Sequence, residues 1–141
     1  PEGDLVIPIG QARIRREGTD VTLIANSAST HVALGAAAKL EADGISAELI
    51  DLRTIKPLDI PAILASVAKT NRVVIVEENK PYAGWGAQVA YEIQHRSFDN
   101  LDAPIERVTG LDTPQPYAKV LEQAVMPSEA RVIEAAQKTL A

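Results

Sequence analysis

Arg72-Val73-Val74-Ile75-Val76-Glu77-Glu78-Asn79-Lys80-Pro81-Tyr82-Ala83-Gly84-Trp85-Gly86-Ala87-Gln88-Val89-Ala90-Tyr91-Glu92-Ile93 is a β-branched apolar run that stops at paired acids, crosses a Pro/Gly loop and resumes at helical period. An apolar run this dense suits a strand buried on both faces, and so a parallel sheet. The stretch is half of a βαβ unit. Open α/β folds put their working surfaces at the carboxyl ends of such strands, which makes Glu77, Glu78, Asn79 and the loop to Gly86 the first place to look for function.

Working outward, the same alternation recurs. Val21 to Ala25, the run within Ile45 to Leu52, and Ile105 to Thr109 read as further strands near 21–25, 47–51 and 105–109, beside 73–77; Ala12 to Arg16 suits a short edge strand. Asn26 to Thr30 offers capping side chains for a helix expected from about His31 to Asp43, with Val32, Ala36 and Leu40 as its apolar stripe and Gly44 as its left-handed cap. Asp59 is a good N-cap for a helix whose Ile60, Ile63, Leu64, Val67 and Ala68 share one face. A helix follows the glycine loop to about Gln94. Tyr117 to Ala124 makes a short helix, and Ser128 caps a last one striped by Val132, Ile133, Ala136 and Leu140. These elements predict an α/β fold of three layers, a mostly parallel sheet with helices on both faces. Residues 1–11, with Pro1, Gly3, Pro8 and Gly10, read as an extended arm that packs but forms no helix.

The 141 residues suffice for one domain, and the formal charge of −5 with interspersed signs argues against a nucleic-acid or anionic-membrane surface. Arg13, Arg15 and Arg16 alternate with apolar residues beside Glu17 and read as a solvated strand edge rather than a binding patch. The chain has no cysteine, which fits a reducing compartment. No apolar run approaches the roughly 20 residues of a spanning helix.

Chemistry is sparse. Gly84-Trp85-Gly86 invites a dinucleotide reading, but Val89 stands where the fingerprint needs Gly or Ala, and the loop follows the third confident strand instead of the first. His31 and His95 are too far apart in sequence for a helical metal pair. Glu77 and Glu78, adjacent on a strand, point to opposite faces and do not converge as a catalytic dyad, which leaves structural or subunit-interface roles. Trp85, in a glycine loop, is an interface anchor by residue type.

Several stretches together resemble one family. They are Ile7-Pro8-Ile9-Gly10 with Arg16 to Thr22, His31 to Leu34, Ile50-Asp51-Leu52-Arg53-Thr54-Ile55-Lys56-Pro57-Leu58-Asp59, and Val76-Glu77-Glu78 with Gly84 to Ala87. Leu101-Asp102-Ala103-Pro104, Arg107 to Gly110 and Asp112-Thr113-Pro114-Gln115-Pro116-Tyr117-Ala118 complete the set. In this order they resemble the C-terminal domain of the beta subunit of thiamine-diphosphate-dependent 2-oxoacid dehydrogenases, the same family as the transketolase C-terminal domain. Leu101 to Pro104 and Pro116-Tyr117-Ala118 look most like the pyruvate dehydrogenase branch; branched-chain and acetoin relatives stay open, as does an autonomous α/β nucleotide-binding enzyme. One departure is that Asn26-Ser27 stands where the family usually has an aromatic-Gly pair.

The resemblance implies a linker arm over residues 1–11, leading from an N-terminal domain, and a transketolase C-terminal-like domain over residues 12–141. It further implies that thiamine diphosphate and magnesium belong to the intact enzyme and not to this domain, whose work is assembly. The implied partners are an alpha subunit, a second beta subunit and the basic subunit-binding domain of the dihydrolipoyl acetyltransferase. Asp102 and the terminal residue, Ala141, would receive that basic domain, with Glu77, Glu78 and Trp85 as subunit-interface positions. The implied compartment is a bacterial cytoplasm or a eukaryotic mitochondrial matrix.

Overall fold

The computed structural model of the chain describes Gly3 and residues 6–141. Its strands are β1 (Arg13–Arg16), β2 (Val21–Ala25), β3 (Ala47–Asp51), β4 (Val73–Val76) and β5 (Glu106–Val108), and its helices α1 (Ala28–Ala42), α2 (Ile60–Thr70), α3 (Trp85–Ser97), α4 (Lys119–Val125) and α5 (Glu129–Leu140). The sheet order is β1-β3-β2-β4-β5. β2 to β5 are mutually parallel, while β1 runs antiparallel to β3 at one edge. Of the expected arm, Pro1, Glu2, Asp4 and Leu5 lie outside the described residues; Val6, Ile7 and Ile9 are exposed instead of packed, and the chain is first tied down where the Gly10 amide donates to Thr54 Oγ1 at 3.0 Å.

The pleat divides the core in two. Val21, Leu23 and Ala25 of β2 face a layer built with Ala33, Ala36, Ala37 and Leu40 of α1 and Val132 and Ala136 of α5. Ile24, on the opposite face, joins Ile63 and Val67 of α2 and Val89 and Ile93 of α3. Alternate residues of one strand thus feed two cores, as a strand covered on both sides requires.

Three helices differ instructively from expectation. α1 begins at Ala28, three residues early, because Ser27 turns the chain with φ 52° and ψ −133°, and its hydroxyl makes no capping bond. Ala33 and Ala37 are fully buried in α1, whereas Val32 packs only at the margin of that core. In α2 the buried stripe is Ile63, Ser66, Val67 and Thr70 in place of the expected line through Leu64 and Ala68. The cause is a hydroxyl cluster. Thr22 Oγ1 of β2 lies 2.6 Å from Ser66 Oγ and 2.7 Å from Thr70 Oγ1, so polar side chains pack inward as a satisfied group. α3 outruns its expected end by one turn and closes in a 3-10 turn, Phe98–Asn100.

Elsewhere the local signals hold. Asp59 caps α2 by accepting from the Ala62 amide at 3.2 Å, and its other oxygen accepts from the Ala12 amide at 2.9 Å, tying the arm to the helix start. Ser128 caps α5 through the Arg131 amide at 3.4 Å. Gly44 turns the chain out of α1 at φ 81°, a conformation that suits glycine.

Candidate functional site

The loop after β4 closes on its own carboxylate. Glu77 is fully buried, and Glu78 beside it is exposed, as opposite faces demand. One Glu77 oxygen, Oε1, accepts from Arg107 Nε at 3.2 Å and pairs with Arg107 Nη2; the other accepts from the Gly86 amide at 3.0 Å. Arg107 also donates to the Pro81 carbonyl at 3.0 Å, drawing the loop down over the strand ends. A Cβ on Gly84 would lie 2.6 Å from Glu77 Oε2 and 2.8 Å from the Lys80 carbonyl, and one on Gly86 would meet Glu77 Oε1 and sit 2.9 Å from Ile75 Cγ2. The glycines therefore make room for an internal carboxylate, which takes the helix N-terminal amide that a pyrophosphate would need. Both Glu77 oxygens are engaged within the chain and the side chain is fully buried, so of the two acids only Glu78 faces out.

Trp85, as the first residue of α3, stands four and eight positions before Val89 and Ile93 and packs half-buried against that core. The spacing of 85, 89 and 93 carried that signal in the sequence.

Asp102 and the chain's end come to the opposite, amino edge of the sheet. Arg72, just before β4, donates from Nε to the Thr139 carbonyl in the last turn of α5 at 3.0 Å, and its Nη2 lies 3.4 Å from Asp102 Oδ2. The Asp102 amide donates to the Asn71 carbonyl at 2.9 Å, and Asn71 Nδ2 to the Asn100 carbonyl at 2.8 Å, so the loop carrying Asp102 is anchored on the end of α2. The Asp102 side chain remains 57% exposed, and Phe98, Leu101, Ala103 and Pro104 frame a shallow apolar hollow of about 390 Å³ beside it. Lys138 and Glu106, 2.7 Å apart, further join α5 to β5. Ala141, exposed, follows directly from α5. Arg72 is the residue that sequence reading missed, because its partners lie 30 and 67 positions away.

Among the described residues no three His, Cys, Asp or Glu side chains converge to hold a metal ion, and no helix is long and apolar enough to cross a membrane. Ser27 sits on a sharp strand-to-helix turn of the kind that can present a nucleophile. No hydrogen bond reaches its hydroxyl from His31 or any other described residue, so no base activates it. With the Gly86 amide taken by Glu77, the loop after β4 does not fit the diphosphate of thiamine diphosphate.

Residues 10–132 match the model of the transketolase C-terminal domain family, and the chain belongs to that family. It is 53% identical over 138 residues to the pyruvate dehydrogenase E1 component subunit beta of Rickettsia felis, covering 98% of this chain and 42% of that protein. Against the mitochondrial counterpart of Mus musculus the identity is 50% over 138 residues, covering 97% of this chain and 38% of the mouse protein. The Rhizobium meliloti counterpart is 48% identical over 132 residues, with 94% of this chain and 29% of that protein covered. Thus the chain spans less than half the length of these relatives. Among solved structures it resembles a split-gene transketolase described as an inactive beta4 tetramer, with a TM-score of 0.84 and 31% identity, over 97% of this chain and 43% of that one. A 2-oxoglutarate:ferredoxin oxidoreductase shares the fold, at a TM-score of 0.64 and 14% identity.

Proposed function

We infer that this chain is the assembly domain of the beta subunit of a pyruvate dehydrogenase decarboxylating component, the enzyme that decarboxylates pyruvate oxidatively and passes the acetyl group to lipoyl. In this reading the domain associates with an alpha subunit and a second beta subunit and docks the basic subunit-binding domain of the dihydrolipoyl acetyltransferase. Thiamine diphosphate and magnesium act in other parts of the enzyme. The compartment is the cytoplasm of a bacterium or the mitochondrial matrix of a eukaryote.

The observation that carries the docking role is the meeting of Asp102 and the end of α5 at Arg72, which presents an exposed carboxylate, an apolar hollow and the neighbourhood of Ala141 on one edge. Arg72 partly neutralises Asp102 and holds its loop, so the charge is offered at low ordering cost. The test is a titration of the subunit-binding domain against the intact beta subunit with Asp102→Ala and Asp102→Lys, at low and moderate salt. Loss of roughly 2–5 kcal/mol is expected for a desolvated pair, and a smaller loss that fades in salt for a rim pair. Parent-like binding by both variants would remove Asp102 from the contact.

The exclusion of the cofactor is tested separately. Calorimetry of the 141-residue chain with thiamine diphosphate and magnesium is expected to show no saturable binding, and micromolar binding would overturn the assignment. Assays of the intact enzyme on pyruvate, branched-chain 2-oxoacids and acetoin separate the pyruvate branch from its relatives.

A further inference from the structure

Residues 111–125 leave the body of the domain and return to it. The Leu111 amide donates to the Val125 carbonyl at 2.8 Å and shuts the excursion at its base, as in a compact surface loop whose ends lie together. The excursion contains α4, and of that helix only Val125 is buried. Tyr117, Val120, Leu121 and Ala124 are all exposed, Tyr117 completely and Val120 at 77%. These four recur at helical period, so α4 carries an apolar stripe, and the stripe faces water instead of the core. Lys119 and Glu122 flank it and form no ion pair among the described residues. Lys80 Nζ donates to Gln115 Oε1 at 3.3 Å, which brings the loop carrying the exposed Tyr82 against the excursion.

We propose that this stripe pairs with the same stripe of a second copy of the chain, α4 against α4, antiparallel about a twofold axis between Val120 and Leu121. It rests on the reading that the domain associates with a second beta subunit, and it gives that association a surface. The order of residues in α4 selects a second copy over an unlike partner. Antiparallel apposition about that axis sets Lys119 opposite the partner subunit's Glu122, and the reverse, so both unpaired charges are met at once. The same axis sets Val120 against the partner subunit's Leu121 and the large Tyr117 over the partner subunit's small Ala124. A twofold interface needs this self-complementarity, each residue meeting its counterpart twice. The area is also adequate. Tyr82 and Tyr117 alone present roughly 300–400 Å², and Leu111, Val120 and Leu121 carry the face toward the roughly 800 Å² per partner of a stable complex.

The test is sedimentation equilibrium of the full chain over a wide range of concentrations, where a monomer–dimer equilibrium is expected. Leu121→Glu should weaken pairing about a hundredfold, since a twofold interface carries each change twice. The same variant should melt like the parent at the lowest concentration, because Leu121 lies outside the core. Lys119→Glu and Glu122→Lys should each weaken pairing about tenfold by setting like charges opposite one another, and the two in one chain should restore it. That rescue belongs to like-with-like antiparallel pairing and to no unlike partner. A chain that stays monomeric throughout would overturn the proposal, as would a double reversal that fails to restore pairing. A dimer indifferent to Leu121→Glu would overturn it too, while leaving the association of beta subunits to another face. The docking role of Asp102 is judged apart, by the titration of its own variants.

Discussion

Ser27 holds a conformation, φ 52° and ψ −133°, that glycine adopts without strain and an L side chain does not. The sequence had marked this place, since Asn26-Ser27 replaces the aromatic-Gly pair usual in the resembling family, but only the coordinates give the strain a sign. Ser27→Gly is expected to stabilise the chain by about 1 kcal/mol, the relief of strain being partly offset by unfolded-state entropy. A urea midpoint that falls would contradict it. Glu77 makes the complementary case. Its position at a strand end was plain in the sequence, whereas its partner Arg107, 30 residues on, emerges only once β4 and β5 are paired with Ile75 opposite Arg107. Arg107→Met strands a buried carboxylate and is expected to cost about 3 kcal/mol. Gly86→Ala, which drives a methyl into that carboxylate, should also destabilise, by about 1–3 kcal/mol. Both are read by chemical denaturation, and a neutral result for either would mean that the loop is not held by Glu77.

The element most changed by its neighbours is α2. Its sequence period pointed to an apolar stripe through Leu64 and Ala68, but hydroxyls at 66 and 70 won the inner face because Thr22 satisfies them, and no single-segment pattern contains that information. The same helix carries Lys69, which pairs with Glu48 of β3 and lies 3.1 Å from Glu17. Burial pushes the Glu48 carboxyl up, but hydrogen bonding, first from Lys69, outweighs it and holds the group below its ordinary 4.5. The Lys69 ammonium is raised above 10.5, first by its hydrogen bond to Glu48. Because the folded Glu48 value is depressed, its stabilisation is complete above pH 4.5 and is lost as pH falls through the folded value. The raised Lys69 value has the opposite sense, with stabilisation complete below pH 10.5 and lost above it. Urea midpoints followed from neutral pH into acid should therefore fall less steeply for Glu48→Gln than for the parent. Parallel acid limbs would show that the pair does not govern acid stability.

At the scale of the whole molecule, the layered parallel sheet was legible from the alternation of β-branched runs with helical periods, and the local stops at Gly44, Asp59 and Ser128 were legible from residue type alone. The long-range ties were not. Arg72 to Thr139 and Glu77 to Arg107 bring together groups that no sequence period relates, and both work at the sheet's two ends, where the candidate surfaces lie. The sheet's lateral margins are another matter. β1 carries Arg13, Arg15 and Arg16 with a bulge inside it, and β5 is three residues long. A margin that is charged and kinked, or merely brief, gives an incoming strand little to zip onto. The chain is thereby guarded against growing sideways into fibrils through the margins of its sheet.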